Sequence, residues 1–104
     1  MENQHRKIAG YRELSAEEID LMNRIKEKGA ELIGLNDELE RHIVRQGRLK
    51  QRAAEGATRD EAAIAEFELF LAAEPGRWNV IGKTDIQTGI MAMVRAVAQP
   101  GGGI

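Results

Sequence analysis

The chain has 104 residues, no cysteine, and 15 Lys and Arg against 17 Asp and Glu. This length predicts one domain, residues 1–104, and the lack of cysteine excludes disulfides and thiolate metal sites. The near-neutral charge argues against a general binder of DNA or RNA, which carries a basic excess or stripe. The polar start and the lack of a long apolar run predict a cytoplasmic protein with no membrane partner.

The first predicted helix covers residues 15–54 and follows an N-terminal arm, residues 1–14. Ser15 and Glu18 have the spacing of a capping box, which marks a helix start. Apolar residues then recur at spacings of three and four and approximate a heptad seam. The recurring residues are Ile19, Met22, Ile25, Leu32, Leu39 and Ile43, with Gly29 and Asn36 in the gaps, and the seam spans residues 22–43. We expect a bend or a close helix contact at Gly29 and Gly34, and a helix this long suggests assembly.

Two further helices follow, at residues 58–74 and 76–98, and a flexible tail takes residues 99–104. Thr58 and Glu61 form a second potential capping box, and Pro75 suits the first turn of the last helix. The predicted apolar stripe of that helix begins at Trp78, which we expect to anchor a core or an interface. No strand pattern occurs, so the sequence predicts an all-α fold.

Charge favours pairing of the first two helices. Residues 41–52 contain five Lys and Arg and no acid, whereas residues 55–74 contain six acids and one Arg. Exposed ion pairs contribute only about 0–1 kcal/mol each, so these charges set register more than stability. The predicted architecture is a long helical hairpin plus a C-terminal helix.

No catalytic or metal-binding constellation is present, so the sequence predicts neither an enzyme nor a cofactor. His5 and His42 lack the partner four residues away that a helical metal site needs. Ser15 is accounted for as a cap. The glycines at 101–103 follow a helix instead of preceding one, which is the wrong end for binding an anion.

Five residues are candidates for ligand binding. Tyr11 can stack on a ring or dock on the first helix, and Lys26 can meet a phosphate or be solvated. Arg77 and Thr84 are seven residues apart and share a helix face, with Lys83 beside it. From residue type alone, surface roles are favoured for Lys26, Arg77, Lys83 and Thr84, and the two readings of Tyr11 are evenly balanced.

Two segments carry a family resemblance. They are YRELSAEEIDLMNRIKEKGAEL, residues 11–32, and RWNVIGKTDIQTGIMAMVRAVAQP, residues 77–100. Both resemble the phage anti-CBASS cyclic-oligonucleotide sponge family, the second type of such inhibitors. Residues 41–74 do not contribute to the likeness.

The resemblance implies a helical homohexamer that binds cyclic nucleotide messengers of a bacterial antiphage system without cleaving them. In that family a Tyr before the first long helix stacks on a base, and a Lys within that helix meets the phosphates; these match Tyr11 and Lys26. Some members hold cyclic trinucleotides at a second site made by the C-terminal helix, which makes Arg77, Lys83 and Thr84 candidates by analogy.

Helix geometry favours a dinucleotide site shared between chains. Ser15 and Lys26 are separated by about 16 Å along a helix, so Tyr11 and Lys26 of one chain reach one nucleotide only if the arm folds back. A cyclic dinucleotide has two-fold symmetry or nearly so, which suits an isologous contact between two protomers. The resemblance makes a messenger sponge in the host cytoplasm the leading hypothesis, and the alternative is an oligomeric helical scaffold or adaptor without a small ligand.

Overall fold

A computed structural model describes residues 12–101, which form three α-helices and no strand. α1 runs over Ala16–Glu55, α2 over Glu61–Ala73 and α3 over Pro75–Ala98. The all-α prediction is therefore confirmed for the described part of the chain. No helix in this part is long and apolar enough to cross a membrane.

The start of α1 has the predicted capping box. The backbone N–H of Glu18 donates to Ser15 Oγ at 3.1 Å, and the backbone N–H of Ser15 donates to the Glu18 carboxylate at 2.9 Å. Each residue thus satisfies a backbone donor that a helix start leaves without an intrahelical partner.

The cap predicted for the second helix at Thr58 is wrong. Asp60 is the N-cap of α2, and its side chain accepts a 2.8 Å hydrogen bond from the N–H of Ala63. A carboxylate also interacts favourably with the positive end of the helix dipole, which favours Asp60 over the neutral Thr58. Glu74 adopts a left-handed conformation that ends α2, and Pro75 opens α3 as expected.

The chain divides into two compact units. Among described residues, the first unit takes residues 12–32 and 85–101, and the second takes residues 33–84. Both α1 and α3 contribute a segment to each unit.

In the first unit, the early part of α1 lies antiparallel to the late part of α3. Arg12 Nη2 donates a 2.9 Å hydrogen bond to the carbonyl of Val97, and Gly29 lies against Ile90. Gly29 is buried, and a Cβ there would lie 2.1 Å from Ile90 Cδ1. The predicted close helix contact therefore occurs at Gly29, whereas a Cβ on Gly34 would meet nothing within 4 Å.

In the second unit, the late part of α1 pairs with α2, as the charge pattern predicts. Lys50 Nζ lies 3.4 Å from Glu66 Oε1, and a Cβ on Gly47 would touch the ring of Phe70 at 2.9 Å. These two contacts run in opposite directions along α1 and α2, so the segments form an antiparallel hairpin.

An amide pair joins α1 to α3 in the second unit. Asn36 Nδ2 donates to both the carbonyl and Oδ1 of Asn79, at 3.1 and 2.9 Å. Asn79 Nδ2 returns hydrogen bonds to the Asn36 carbonyl at 3.3 Å and to Glu40 Oε1 at 3.1 Å. Asn79 is only 7% exposed, so this polar group is buried and satisfied.

Little apolar surface is buried within one chain. Ile43 and Ala54 are the buried apolar side chains of the described residues, and α2 buries none. Trp78, which we expected to anchor a core or an interface, is 59% exposed and anchors no core within the single chain, so the interface role stays a prediction. Asn79, the next residue in α3, is the one that faces α1. Of the predicted seam, Leu32 and Leu39 are also exposed.

Candidate ligand-binding groove

A groove of about 330 Å³ in the first unit contains Lys26 of α1 and Arg95 of α3. The remaining lining residues are aliphatic or thioether side chains and carry no acid: Ile90, Met91, Val94, Ala98 and Pro100. The groove therefore combines two positive charges with an apolar floor, an arrangement that accommodates an anion attached to a flat or apolar body.

Lys26 has no ion-pair partner among the described residues, and its position in the helix explains why. The helical neighbours of a residue lie three and four positions away. For Lys26 these are all uncharged: Met22, Asn23, Gly29 and Ala30. The other cations of this segment are paired, because Arg24 lies 3.0 Å from Asp20 and Lys28 lies 3.5 Å from Glu31.

Arg95 is unpaired for the same reason. Its neighbours at three and four positions are Met91, Ala92, Ala98 and Gln99, and it is the sole charged residue between Asp85 and the end of the chain. Its side chain is exposed and lies in the last turn of α3. The positive charge at the groove is thus not neutralised by any nearby acid of its own helix.

Beside the start of α1, the Arg12 guanidinium donates to three acceptors, of which the carbonyl of Glu13 lies 3.4 Å away. The guanidinium pairs with Glu18 and also donates to the carbonyl of Val97, near the end of α3. The hydrogen bond from Arg12, together with that from the backbone of Ser15, lowers the pKa of Glu18 below its usual value of 4.5. Arg12 therefore fixes the entry to α1 against the end of α3 within the first unit.

A second groove in the first unit, of about 410 Å³, is mainly apolar. Its floor includes Ile25, Leu32, Ile86 and Met93, and the buried Gly29 lets the two helices approach there. The cations at its rim, Arg24 and Lys28, are already held in ion pairs. This groove therefore offers apolar contact and no free charge.

The predicted residues Arg77, Lys83 and Thr84 lie in the second unit, on α3. Arg77 stacks on the exposed ring of Trp78, with Cζ 5.3 Å from the ring centroid, and its Nε lies 4.0 Å from a Glu74 oxygen. Lys83 lies 3.8 Å from Asp37, and Thr84 is exposed. The charges of Arg77 and Lys83 are therefore partly offset by acids, unlike that of Lys26.

The structure brings Lys26 together with Arg95, which the sequence prediction missed. Tyr11 lies outside the described residues. A signal for Arg95 existed in the sequence, namely a lone cation in an otherwise uncharged C-terminal segment with no acid at helical spacing. Within residues 12–101, no group of three or more His, Asp or Glu side chains is placed to hold a metal ion.

The described residues define a small all-α protein whose first unit exposes a cationic groove with an apolar floor. The family model described as the Acb2/Tad1 hairpin domain matches residues 57–98. The chain is also 54% identical over 107 aligned positions to Anti-CBASS protein 2 of Pseudomonas phage JBD67, an alignment that covers 98% of this chain and 99% of that protein. The chain therefore belongs to the Anti-CBASS protein 2 family.

Proposed function

We propose that this protein blocks CBASS immunity by binding cyclic oligonucleotide messengers in the cytoplasm of the host bacterium. The observation that carries the proposal is the 54% identity to Anti-CBASS protein 2 across 98% of the chain. The unpaired Lys26 beside an apolar floor supports it, because a cyclic oligonucleotide combines anionic phosphates with flat bases. The protein acts by holding the messenger and does not cleave it.

In this proposal, Tyr11 stacks on a base and Lys26 binds a phosphate of a cyclic dinucleotide. The two residues come from neighbouring chains, because Lys26 lies about 16 Å along α1 from its start. A near-symmetric ligand then receives one Tyr11 and one Lys26 from each of two protomers. Base stacking on an aromatic side chain contributes about 1–3 kcal/mol per base.

The protein acts as a homo-oligomer, a hexamer by its resemblance to the family. Among residues 12–101, thirteen large apolar side chains are exposed in the single chain, including Leu69 at 70% and Met91 at 71%. This many exposed apolar side chains on a small protein favour an interaction with other chains, and further copies of the same chain can cover them without another partner.

A second site for cyclic trinucleotides involves Arg77, Lys83 and Thr84. The supporting observation is that Arg77 stacks on the exposed ring of Trp78. A guanidinium group and an aromatic ring are therefore both accessible at the start of α3. Because Lys83 is paired with Asp37, it can bind a phosphate only if the phosphate displaces Asp37 or shares the Lys83 ammonium group with it. Arg77→Ala should weaken trinucleotide binding while it leaves dinucleotide binding unchanged, and equal weakening of both ligands would reject a separate site.

A thermal-shift titration with cyclic di- and trinucleotides tests the proposed function. A ligand at 100 times its Kd stabilises the folded protein by about 2.7 kcal/mol. Heating the complex afterwards should release the nucleotide intact, whereas recovery of linear products would indicate an enzyme. If no member of the panel shifts the unfolding temperature, the sponge hypothesis is wrong and the scaffold alternative is favoured.

Single substitutions test the site. Tyr11→Ala and Lys26→Ala should each weaken dinucleotide binding by at least tenfold and leave the oligomer mass unchanged. Lys28→Ala is the matched control, since it removes a cation two residues away that is already paired with Glu31. Normal binding by both test variants would reject the site, even if the protein binds the ligand.

A further inference from the structure

The late part of α1 carries a row of arginines on one side of the helix. Their spacings of four, three and four residues place all of them within about 60° of each other around the helix axis. The row extends over about 16 Å of the axis, at a rise of about 1.5 Å per residue. This arginine face consists of Arg41, Arg45, Arg48 and Arg52.

The arginine face lies on the side of α1 opposite to the helical hairpin. Ile43 is buried, and Gly47 lies against the ring of Phe70. Lys50 pairs with Glu66 of α2. These positions of α1 are centred roughly half a turn from the arginine face. The arginines therefore point away from α2, and all four side chains are exposed.

The charges of this face are not offset by acids. None of its guanidinium groups forms an ion pair or a hydrogen bond with another side chain among residues 12–101. Each arginine has another arginine as a helical neighbour, and like charges at this spacing destabilise a helix. Arg45 and Arg48 have no acid three or four positions away in either direction. A bound anion would relieve this repulsion.

A linear row of arginines matches a linear polyanion. A DNA duplex carries one negative charge per about 1.7 Å of its axis, so the length of the arginine face corresponds to about ten phosphates. A guanidinium group can bind two oxygens of one phosphate. Residues 41–52 contain no Phe, Tyr or Trp on which a base could stack. Contacts from this face would therefore be to the backbone, which carries no direct sequence information.

We propose that the arginine face binds the phosphate backbone of a nucleic acid without reading its sequence. The formal charge of the whole chain is −2, so this binding depends on the local row of arginines and not on the overall charge. Neither groove of the first unit is lined by an arginine of this face. The inference therefore goes beyond the proposed function and assigns a site separate from the messenger groove.

Fluorescence anisotropy of the full-length protein with labelled probes of about 20 nucleotides tests the proposal. The probes are single-stranded RNA, single-stranded DNA and duplex DNA, each of mixed sequence. At least one should bind with a Kd of about 1–100 µM at about 50 mM salt, and its Kd should rise as the salt approaches about 200 mM. The probe that binds most tightly identifies the strand type, and a second sequence of that type should bind within about threefold.

The test variant combines Arg45→Gln with Arg48→Gln. It should raise Kd at least tenfold and reduce the slope of log Kd against log salt by about two, one for each lost phosphate contact. Arginine and glutamine have similar helix propensities, so the unfolding temperature should not fall. Binding of cyclic dinucleotides should also be unchanged. A failure of the proposed function would therefore leave the result with the oligonucleotide probes standing.

Two further double variants serve as controls. Arg45→Lys with Arg48→Lys keeps both charges and should bind within about threefold of the unmodified protein, because the phosphate contacts are mainly electrostatic. Arg24→Gln with Arg59→Gln removes the same charge from two exposed arginines outside the arginine face. Its Kd for the probes should equal that of the unmodified protein.

Three results would overturn the proposal. The first is a Kd above about 100 µM for every probe at about 50 mM salt. The second is loss of probe binding in Lys26→Ala but not in the Arg45→Gln and Arg48→Gln double variant, because the probe would then occupy the messenger groove. The third is a lower oligomer mass of that double variant when the unmodified protein binds no probe, since the arginine face would then pair with acids of another copy.

Discussion

Gly29 and Gly34 lie five residues apart in α1, yet their surroundings differ completely. A Cβ at Gly29 would lie 2.1 Å from Ile90 Cδ1 and 2.8 Å from Ile90 Cγ1, whereas a Cβ at Gly34 would have no neighbour within 4 Å. Both glycines weaken a helix by about 1 kcal/mol relative to alanine. Within the chain, only Gly29 offsets this cost, because the lack of a Cβ lets Ile90 pack against the α1 backbone there.

Gly29→Ala should lower the free energy of unfolding by about 1–2 kcal/mol, because the cost of overpacking against Ile90 exceeds the gain in helix propensity. Gly34→Ala is the matched control and should raise the free energy of unfolding by about 0.5–1 kcal/mol. Urea denaturation measures both. Stabilisation by Gly29→Ala would contradict the close contact with Ile90.

The ionisation of Glu18 makes the stability of the start of α1 depend on pH. Because its pKa is lowered in the folded protein, the charged carboxylate stabilises the fold above pH 4.5, and this contribution is lost as the pH falls through the lowered pKa. Glu18→Gln should therefore destabilise the protein at pH 7, with a difference that shrinks as the pH is lowered towards 3. Urea unfolding between these pH values measures it.

Glu17→Gln provides the comparison for Glu18, since Glu17 makes no side-chain hydrogen bond to another described residue. It should leave the pH dependence close to that of the unmodified protein. A constant difference between Glu18→Gln and the unmodified protein at every pH would show that the carboxylate charge does not contribute.

At the scale of elements, the amide pair of Asn36 and Asn79 specifies how α1 and α3 meet in the second unit. A buried amide at a helix seam disfavours any register in which it lacks a partner. Shifting α3 by one residue would place Val80 or Trp78 opposite Asn36 and leave the Asn36 amide unsatisfied. The pair therefore selects one register among several that apolar packing alone would permit.

Asn79→Ala should lower the free energy of unfolding by about 1–3 kcal/mol, because it removes the buried amide and leaves the half-buried Asn36 side chain with only the backbone carbonyl of residue 79 as acceptor. Asn23→Ala is the control, since Asn23 is exposed on α1 and should change stability by less than about 0.5 kcal/mol. The double variant Asn36→Ala with Asn79→Ala should cost less than the sum of the single changes. Simple additivity would indicate that the two amides do not interact.

Local signals allowed the helices to be predicted from the sequence, whereas side-chain exposure depended on long-range pairing. The Ser15–Glu18 box is encoded within four residues, and the structure has its two hydrogen bonds. The exposure of Trp78 could not be predicted in the same way, because it depends on which side of α3 faces α1. Asn36, 43 residues from Asn79, determines that Asn79 faces α1, and the adjacent Trp78 is then exposed. Of the two cations that line the groove, Lys26 was a candidate from the sequence, and its ligand-binding role stays a prediction, whereas Arg95 on α3 was not a candidate.

At the scale of the whole molecule, the single chain leaves an unusual amount of apolar surface open. α2 has no buried residue, although its sequence is rich in Ala, Ile, Leu and Phe. Exposure of this surface is unfavourable by about 25 cal/mol per Å², so we expect the proposed assembly to contribute a large share of the stability of the folded state. Folding and self-association should therefore be coupled.

The unfolding temperature should rise with protein concentration, because mass action favours an assembly of folded chains. Light scattering should give a mass that is a multiple of 11.5 kDa, six-fold by the family resemblance. Leu69→Gln should reduce that mass, since Leu69 is 70% exposed on α2, whereas the neighbouring Glu68→Gln should leave it unchanged. A mass of one chain at all concentrations would contradict assembly.

The hydrogen bond from Arg12 to the carbonyl of Val97 has a consequence for engineering. It ties the entry of α1 to the last turn of α3, so the placement of both segments depends on one guanidinium group. A fluorophore attached at residue 12 would remove this hydrogen bond, whereas one attached in the exposed turn between α1 and α2, at residues 57–59, would leave it intact. Labels for binding measurements therefore belong in that turn.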